Sequence, residues 1–179
     1  MILPTGNISY TYNSTTRNTG TITSPGETLS YSFDGSLLTG QSWSCAIIGS
    51  VGFAYNNDFR ITSESVNGAN IVSYVYDNDG LLTGAGGLSI SRNSQNGLIS
   101  GSTLGSVSDS FTYSSFGEPS RYTASVSGST LLDVQYTRDN LGRITSKTET
   151  INGTTTTYAY TYDQAGRLTD VSKNGTNTG

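Results

Sequence analysis

The sequence predicts an all-β protein made of tandem antiparallel hairpins, a repeat of about 21 residues in a curled or spiralling strip. Three observations carry that prediction. A short aromatic and aspartate pattern recurs along the chain at near-constant spacing. The composition favours strands, with 12 Tyr, 5 Phe, many Val, Ile and Thr, and only 3 Pro in 179 residues. Turn residues of defined type sit between the strand-like runs.

The repeat is clearest near the end, as Tyr160-Thr161-Tyr162-Asp163-Gln164-Ala165-Gly166-Arg167-Leu168-Thr169. Tyr136-Thr137-Arg138-Asp139-Asn140-Leu141-Gly142-Arg143-Ile144-Thr145 precedes it. Weaker copies lie upstream. Tyr74-Val75-Tyr76-Asp77-Asn78-Asp79-Gly80-Leu81-Leu82-Thr83 lacks only the Arg, and Phe53-Ala54-Tyr55-Asn56-Asn57-Asp58-Phe59-Arg60 lacks the Gly. Starts near 10, 31, 53, 74, 90, 111, 136 and 160 define eight repeats in a single domain over 1–179. A self-similar period of this kind marks a repeat architecture.

Each part of the unit has a physical reading. Tyr-x-Tyr places two aromatics on one strand face, because strand side chains alternate. Asp followed by Gly three residues on is a type I turn signature, and the carboxylate can accept turn N–H groups. Arg-Leu-Thr opens the returning strand. Asn67-Gly68 and Asn152-Gly153 suit the type I′ turns that join one hairpin to the next. The repeating Arg is read as structural, paired with the turn Asp or stacked on a neighbouring Tyr. The residues assigned to the structural motif are Tyr76, Asp77, Gly80, Tyr136, Asp139, Gly142, Arg143, Tyr160, Tyr162, Asp163, Gly166 and Arg167. Gly142 and Gly166 are expected at positive φ.

These motifs resemble the YD-repeat family, also called RHS repeats, which includes bacterial RHS proteins, the shells of toxin-complex BC subunits and teneurins. YTYDQAGRLT at 160–169, YTRDNLGRIT at 136–145 and YVYDNDGLLT at 74–83 carry the resemblance. It implies a long β-strip that spirals into a hollow shell, often around a polypeptide cargo. The chain carries neither the Asp-Pro-x-Gly motif that precedes self-cleavage in that family nor a toxin domain. It reads as a segment of such a strip, or as a short protein using the same unit.

The composition narrows the function further. Charged residues are 12%, the net charge is -4 and the isoelectric point is near 4.6. That argues against binding nucleic acid or an acidic membrane surface. The chain has no apolar run of the ~20 residues that span a bilayer, and 1–4 do not make a signal peptide. Richness in Ser, Thr, Asn and Gly suits a secreted or cell-surface bacterial protein. With no His, and one Cys expected to be a small buried residue, no nucleophile or metal cluster is legible, and no cofactor or enzymatic activity is expected.

Other candidate sites read as structure. The 77–80 turn resembles a calcium loop but lacks its further ligands. Gly84-Ala85-Gly86-Gly87 reads as a flexible connection rather than a phosphate cradle. Asp139 and Asp163 could be paired carboxylates, but every tip carries a residue of this kind for its turn. Trp43 is expected in the core, and Glu64, Glu118 and Glu149 in no constellation.

Three functions follow: a segment of a structural strip or shell, a self-assembling extracellular fibre subunit with end-to-end strand pairing, or a carbohydrate- or ligand-binding adhesin repeat. Partners would be further copies of the chain or adjacent repeats of a longer parent. The ends should expose strand edges, blunted at the first by Pro4 and Pro25, with only Lys173 at the last. The polar tail 174–179 is expected to order against a neighbouring subunit.

Overall fold

A computed structural model describes residues 6–178. Its regular structure is all strand, and its contacts group into two compact units. One takes in residues up to 77 together with 84–86, the other 78–83 together with 87 onward.

The first unit contains β1 (Ser9–Tyr12), β2 (Thr19–Ser24), β3 (Glu27–Asp34), β4 (Leu37–Ser44), β5 (Gly49–Tyr55), β6 (Ile61–Val66) and β7 (Ala69–Tyr76). Each pairs antiparallel with the next. β8 (Leu82–Ala85) gives its first two residues to the second unit and its last two to the first.

The second unit continues with β9 (Leu88–Arg92), β10 (Ile99–Leu104), β11 (Val107–Tyr113), β12 (Pro119–Val126), β13 (Ser129–Arg138), β14 (Ile144–Ile151), β15 (Thr154–Tyr162), β16 (Leu168–Lys173) and β17 (Thr176–Asn177). These too pair consecutively. Eight two-strand repeats predict sixteen strands. The seventeenth, β17, is the start of one more outgoing strand.

Two turn types alternate. At Asn67-Gly68 and Asn152-Gly153 both residues have positive φ, the type I′ geometry that Asn-Gly favours. At the other end of each hairpin lies a tip opened by Asp, Asn or Ser, wider than two residues except at Gly35-Ser36. The GAGG segment is not a flexible connection: Gly84 and Ala85 belong to β8, and Gly86-Gly87 make the tight turn into β9. The Gly86 N–H donates to the Ser73 carbonyl at 2.8 Å, which anchors the turn.

Each sheet has two unlike faces. Along β15, Tyr158, Tyr160 and Tyr162 are half-buried while Thr157, Ala159 and Thr161 are exposed. The aromatic face includes the Phe111–Tyr122 contact, with centroids 4.8 Å apart. The other face carries cross-strand hydroxyl pairs: Thr161–Thr169 at 3.0 Å, Ser110–Thr123 at 2.6 Å and Thr112–Ser120 at 2.9 Å. This gives a place to the 28 Ser and 27 Thr, nearly a third of the chain. Val134, at 7% exposure, is the only buried apolar side chain among the described residues. The core is thus a single covered face.

Candidate functional site

The Asp tips gather polar contacts of side chain and backbone within five residues. At 139–143 the Asp139 carbonyl accepts the Gly142 N–H at 3.0 Å, closing the turn, and Gly142 has φ +79°. Gly166 has φ +80° in the next tip, so both glycines adopt the expected left-handed conformation. Asp139 Oδ1 accepts the backbone N–H groups of Leu141 and Arg143 at 2.9 and 3.0 Å. Its Oδ2 accepts Arg143 Nε at 2.7 Å and pairs with Nη2 at 2.7 Å. Asp163 receives the Arg167 N–H at 2.9 Å and Arg167 Nε at 2.7 Å.

These bonds set the acidity of the tips. Burial opposes the Asp139 charge, but the Arg143 side chain and the Arg143 and Leu141 N–H groups outweigh it, so its pKa lies below the usual carboxylate value. The backbone and then the side chain of Arg167 lower that of Asp163. Both carboxylates are held as anions by their own turn.

Arg143 has a second contact. Its guanidinium lies 4.7 Å from the ring centroid of Tyr162, in the following repeat, and Arg60 lies 5.9 Å from that of Tyr76. Both structural roles expected of the Arg, pairing with Asp and stacking on a neighbouring Tyr, therefore meet in one side chain.

A further element was not legible beforehand. The third motif position, just before the Asp, donates a hydrogen bond to the preceding repeat. Tyr55 donates to the Leu38 carbonyl at 2.7 Å, Tyr76 to Ile61 at 2.7 Å, Tyr113 to Ile99 at 2.7 Å and Tyr162 to Ile144 at 2.8 Å. Where the position is Arg, the bond persists: Arg92 Nε reaches the Leu82 carbonyl at 3.0 Å and Arg138 Nη2 that of Pro119 at 3.2 Å. In five of these six bonds the acceptor is the residue that opens the preceding return strand, and Leu38 is the second residue of β4. The available signal was the residue type. The first motif position tolerates Tyr, Phe or Ile, whereas the third is a long donor in every copy except the shortened one at Phe33.

The other candidates make their own local contacts. Cys45 is half-exposed, not buried, because it lies in the loop between β4 and β5. Its thiol is 2.9 Å from the Ile47 carbonyl. Trp43 is half-buried rather than in the core, its ring lying against Gly49 on its own sheet. An added Cβ at Gly49 would meet its ring at 2.3 Å. The shallow groove beside it is lined by Ile8, Ile22 and Leu29, with no second aromatic to sandwich a sugar. Burial and then the charge of Glu64 raise the pKa of Tyr74, and Glu149 pairs with Lys147 beside Tyr158. The described residues hold no group of three metal-ligating side chains.

The ends differ from expectation too. The tail finds its partner within its own chain: Thr176 and Asn177 pair with Lys173 and Ser172, and the Thr178 N–H donates to the Val171 carbonyl at 2.9 Å. Its order therefore says nothing of a second subunit. Pro25 lies in the turn between β2 and β3, its ring beside Gly6 just before β1. Pro4 and Gly179 lie outside the described residues.

Tips of this geometry, repeated along the chain, are matched by the profile of the teneurin YD-shell over residues 1–178. The chain belongs to the teneurin YD-shell family. No curated protein matches it. Among solved structures it is similar to the crystal structure of TcdB2-TccC3-TEV, at 13% identity and a TM-score of 0.52, over 92% of this chain and 11% of that one. It is similar also to that of TcdB2-TccC3-Cdc42, at 16% identity and a TM-score of 0.46, over 96% and 9%. The likeness to the first is one of fold. The YD-shell chain thus spans only a small part of either of those proteins.

Proposed function

We propose that the chain is a non-catalytic wall segment of a YD-type shell, in which the repeats over 1–179 act as one structural domain. The observation that carries this reading is the bond from the third motif position to the preceding return strand, repeated from Tyr55 to Tyr162. The machinery of the chain joins repeat to repeat, and the Asp–Arg pairs of the tips serve the turns. Tyr76, Asp77, Gly80, Tyr136, Asp139, Gly142, Arg143, Tyr160, Tyr162, Asp163, Gly166 and Arg167 are structural in this reading. The neighbours of the segment are further YD repeats, and a polypeptide cargo belongs to it only within a complete shell. Family membership and a Ser- and Thr-rich surface support a place outside the cytoplasm, secreted or on a bacterial surface.

Amide hydrogen exchange on the full chain tests the reading. In a stack of nearest-neighbour units, Tyr162→Phe loosens protection in the adjoining repeats and leaves β2 and β3 unchanged. A uniform loss along the whole chain would contradict it. So would reproducible turnover in a hydrolase and lyase panel that disappears with Asp139→Asn.

A further inference from the structure

The tips reach one another through the residue that follows the tip glycine. A Cβ added at Gly97, Gly117, Gly142 or Gly166 would meet the side chain of Leu81, Leu98, Glu118 or Arg143, at 2.8, 3.7, 2.9 and 3.7 Å in turn. In each case the reaching side chain belongs to the preceding tip. In its charged forms it also meets the donor of the next repeat. Arg143 covers the ring of Tyr162, and Arg60 covers that of Tyr76. Glu118 pairs instead with Arg138, Oε2 to Nε at 3.7 Å.

At that last junction the charges are inverted, and three positions change together. Asp139 opens a tip that carries Arg143, is bonded to it, and is followed by a Tyr donor. Ser114 opens the tip that carries Glu118, and its hydroxyl donates to Glu118 Oε2 at 3.1 Å. The donor that follows is Arg138. An arginine in place of Glu118 would have no aspartate at 114 to hold it and would meet a second guanidinium. Arg138 is fixed where it stands, because Nη2 bonds the Pro119 carbonyl and Nη1 that of Gly142, at 3.2 and 3.3 Å. The side chains of Arg138 and Glu118 are 21% and 34% exposed, so water screens a charge there only in part.

The remaining junctions follow the same logic. Both tips that place Arg beside the next donor, at Arg60 and Arg143, are followed by Tyr. The apolar tips are followed by either donor, Leu81 by Arg92 and Leu98 by Tyr113.

We propose that the residue after the tip glycine selects the repeat that docks on that tip. An Arg tip takes a repeat whose donor is Tyr, a Glu tip takes one whose donor is Arg, and Arg against Arg is rejected. A Leu tip takes both. This rests on the structural-segment reading and adds which neighbour each segment surface accepts. Selection of this kind combines an attractive pair with a repulsive mismatch.

The test is a two-by-two exchange in the full-length chain, read by urea titration with far-ultraviolet circular dichroism. The tip is exchanged with Ser114→Asp and Glu118→Arg together, and the donor with Arg138→Tyr. The tip exchange alone is expected to lower the unfolding midpoint. Added NaCl should narrow that deficit, because it screens the repulsion between the two guanidinium groups. The donor exchange alone should cost less, since Tyr still donates to Pro119. Both exchanges together should recover most of the loss, whereas two independent losses would add. If the tip exchange alone does not fold, recovery of folding by Arg138→Tyr is the same result in stronger form. The reciprocal exchange at the next junction, Asp139→Ser with Arg143→Glu against Tyr162→Arg, should show the same recovery. Additive losses, a tip exchange that is neutral beside Arg138, or a deficit indifferent to salt would each overturn the proposal. If the losses were additive while Tyr162→Phe still loosened only the adjoining repeats, the selection alone would fail and the segment reading would stand.

Discussion

Tyr113→Phe isolates the junction hydrogen bond better than any other substitution. The hydroxyl donates to the Ile99 carbonyl at 2.7 Å in a half-buried setting. Phe keeps the ring, its apolar contact area and its stacking with Phe111, whose centroid is 6.4 Å away. What is lost is one neutral hydrogen bond, whose net worth is about 1 kcal/mol. Ile99 is half-buried at the start of β10, beside its tip, so the full penalty for a buried orphan does not apply. With a urea dependence of about 2 kcal/mol/M, the unfolding midpoint should fall by about 0.5 M. Tyr160→Phe is the control. Tyr160 sits at the first motif position, where Phe and Ile occur naturally, and its change should stay within about 0.5 kcal/mol. Urea titration followed by far-ultraviolet circular dichroism reads both. Equal effects of the two variants, or a neutral Tyr113→Phe, would show that the junction bond does not hold the repeats together.

Other outcomes follow from the same geometry. Phe59 holds the glycine position of its tip with φ +61° and is exposed, so Phe59→Gly should stabilise by about 1 kcal/mol in the same titration. Gly166→Val, at φ +80°, should destabilise by about 1 kcal/mol or more. Arg138→Tyr, which preserves a donor toward Pro119, should be milder than Arg138→Leu, as measured by the urea midpoint. Asp139, Asp163 and Asp133 have folded pKa values below their unfolded ones, so their stabilisation is present above the unfolded value of about 3.9 and is lost as pH falls through the folded values. Thermal melts should accordingly show acid destabilisation, and Asp163→Asn should reduce its depth.

Much of the fold was legible because its determinants are local. The Asp–x–x–Gly tips and the Asn-Gly turns fix backbone geometry within five residues, and Tyr-x-Tyr fixes which face is covered. The junction bond was less legible, because it joins side chain to backbone across 10 to 19 positions and leaves no complementary residue type to find. A carbonyl is present at every position, so only the restriction to Tyr or Arg betrays it. Trp43 and Cys45 were misplaced for a related reason. Burial depends on a second layer, and nothing in a strand pattern states whether that layer exists.

The interchange of Tyr and Arg at the third position explains how so thin a core specifies one register. A strand shifted by one residue exchanges its faces, and the aromatic and hydroxyl faces already oppose that. A shift by two residues keeps the faces and would cost only ladder ends. The donor closes this second route, because its reach is set from the tip: a two-residue slip moves it about 7 Å from its carbonyl. Tyr and Arg share the needed length and a terminal donor, but Arg adds a bond to the carbonyl of its own tip glycine, Gly97 for Arg92 and Gly142 for Arg138. At those two junctions the latch is thus tied to its own turn as well as to its neighbour. Tyr instead leaves a ring face open to the guanidinium of the preceding repeat, as at Tyr162 and Arg143. The tip is therefore part of the register mechanism. Its Asp–Arg pair holds the guanidinium where the next ring arrives, which is how a feature that first reads as turn chemistry determines how one repeat receives the next.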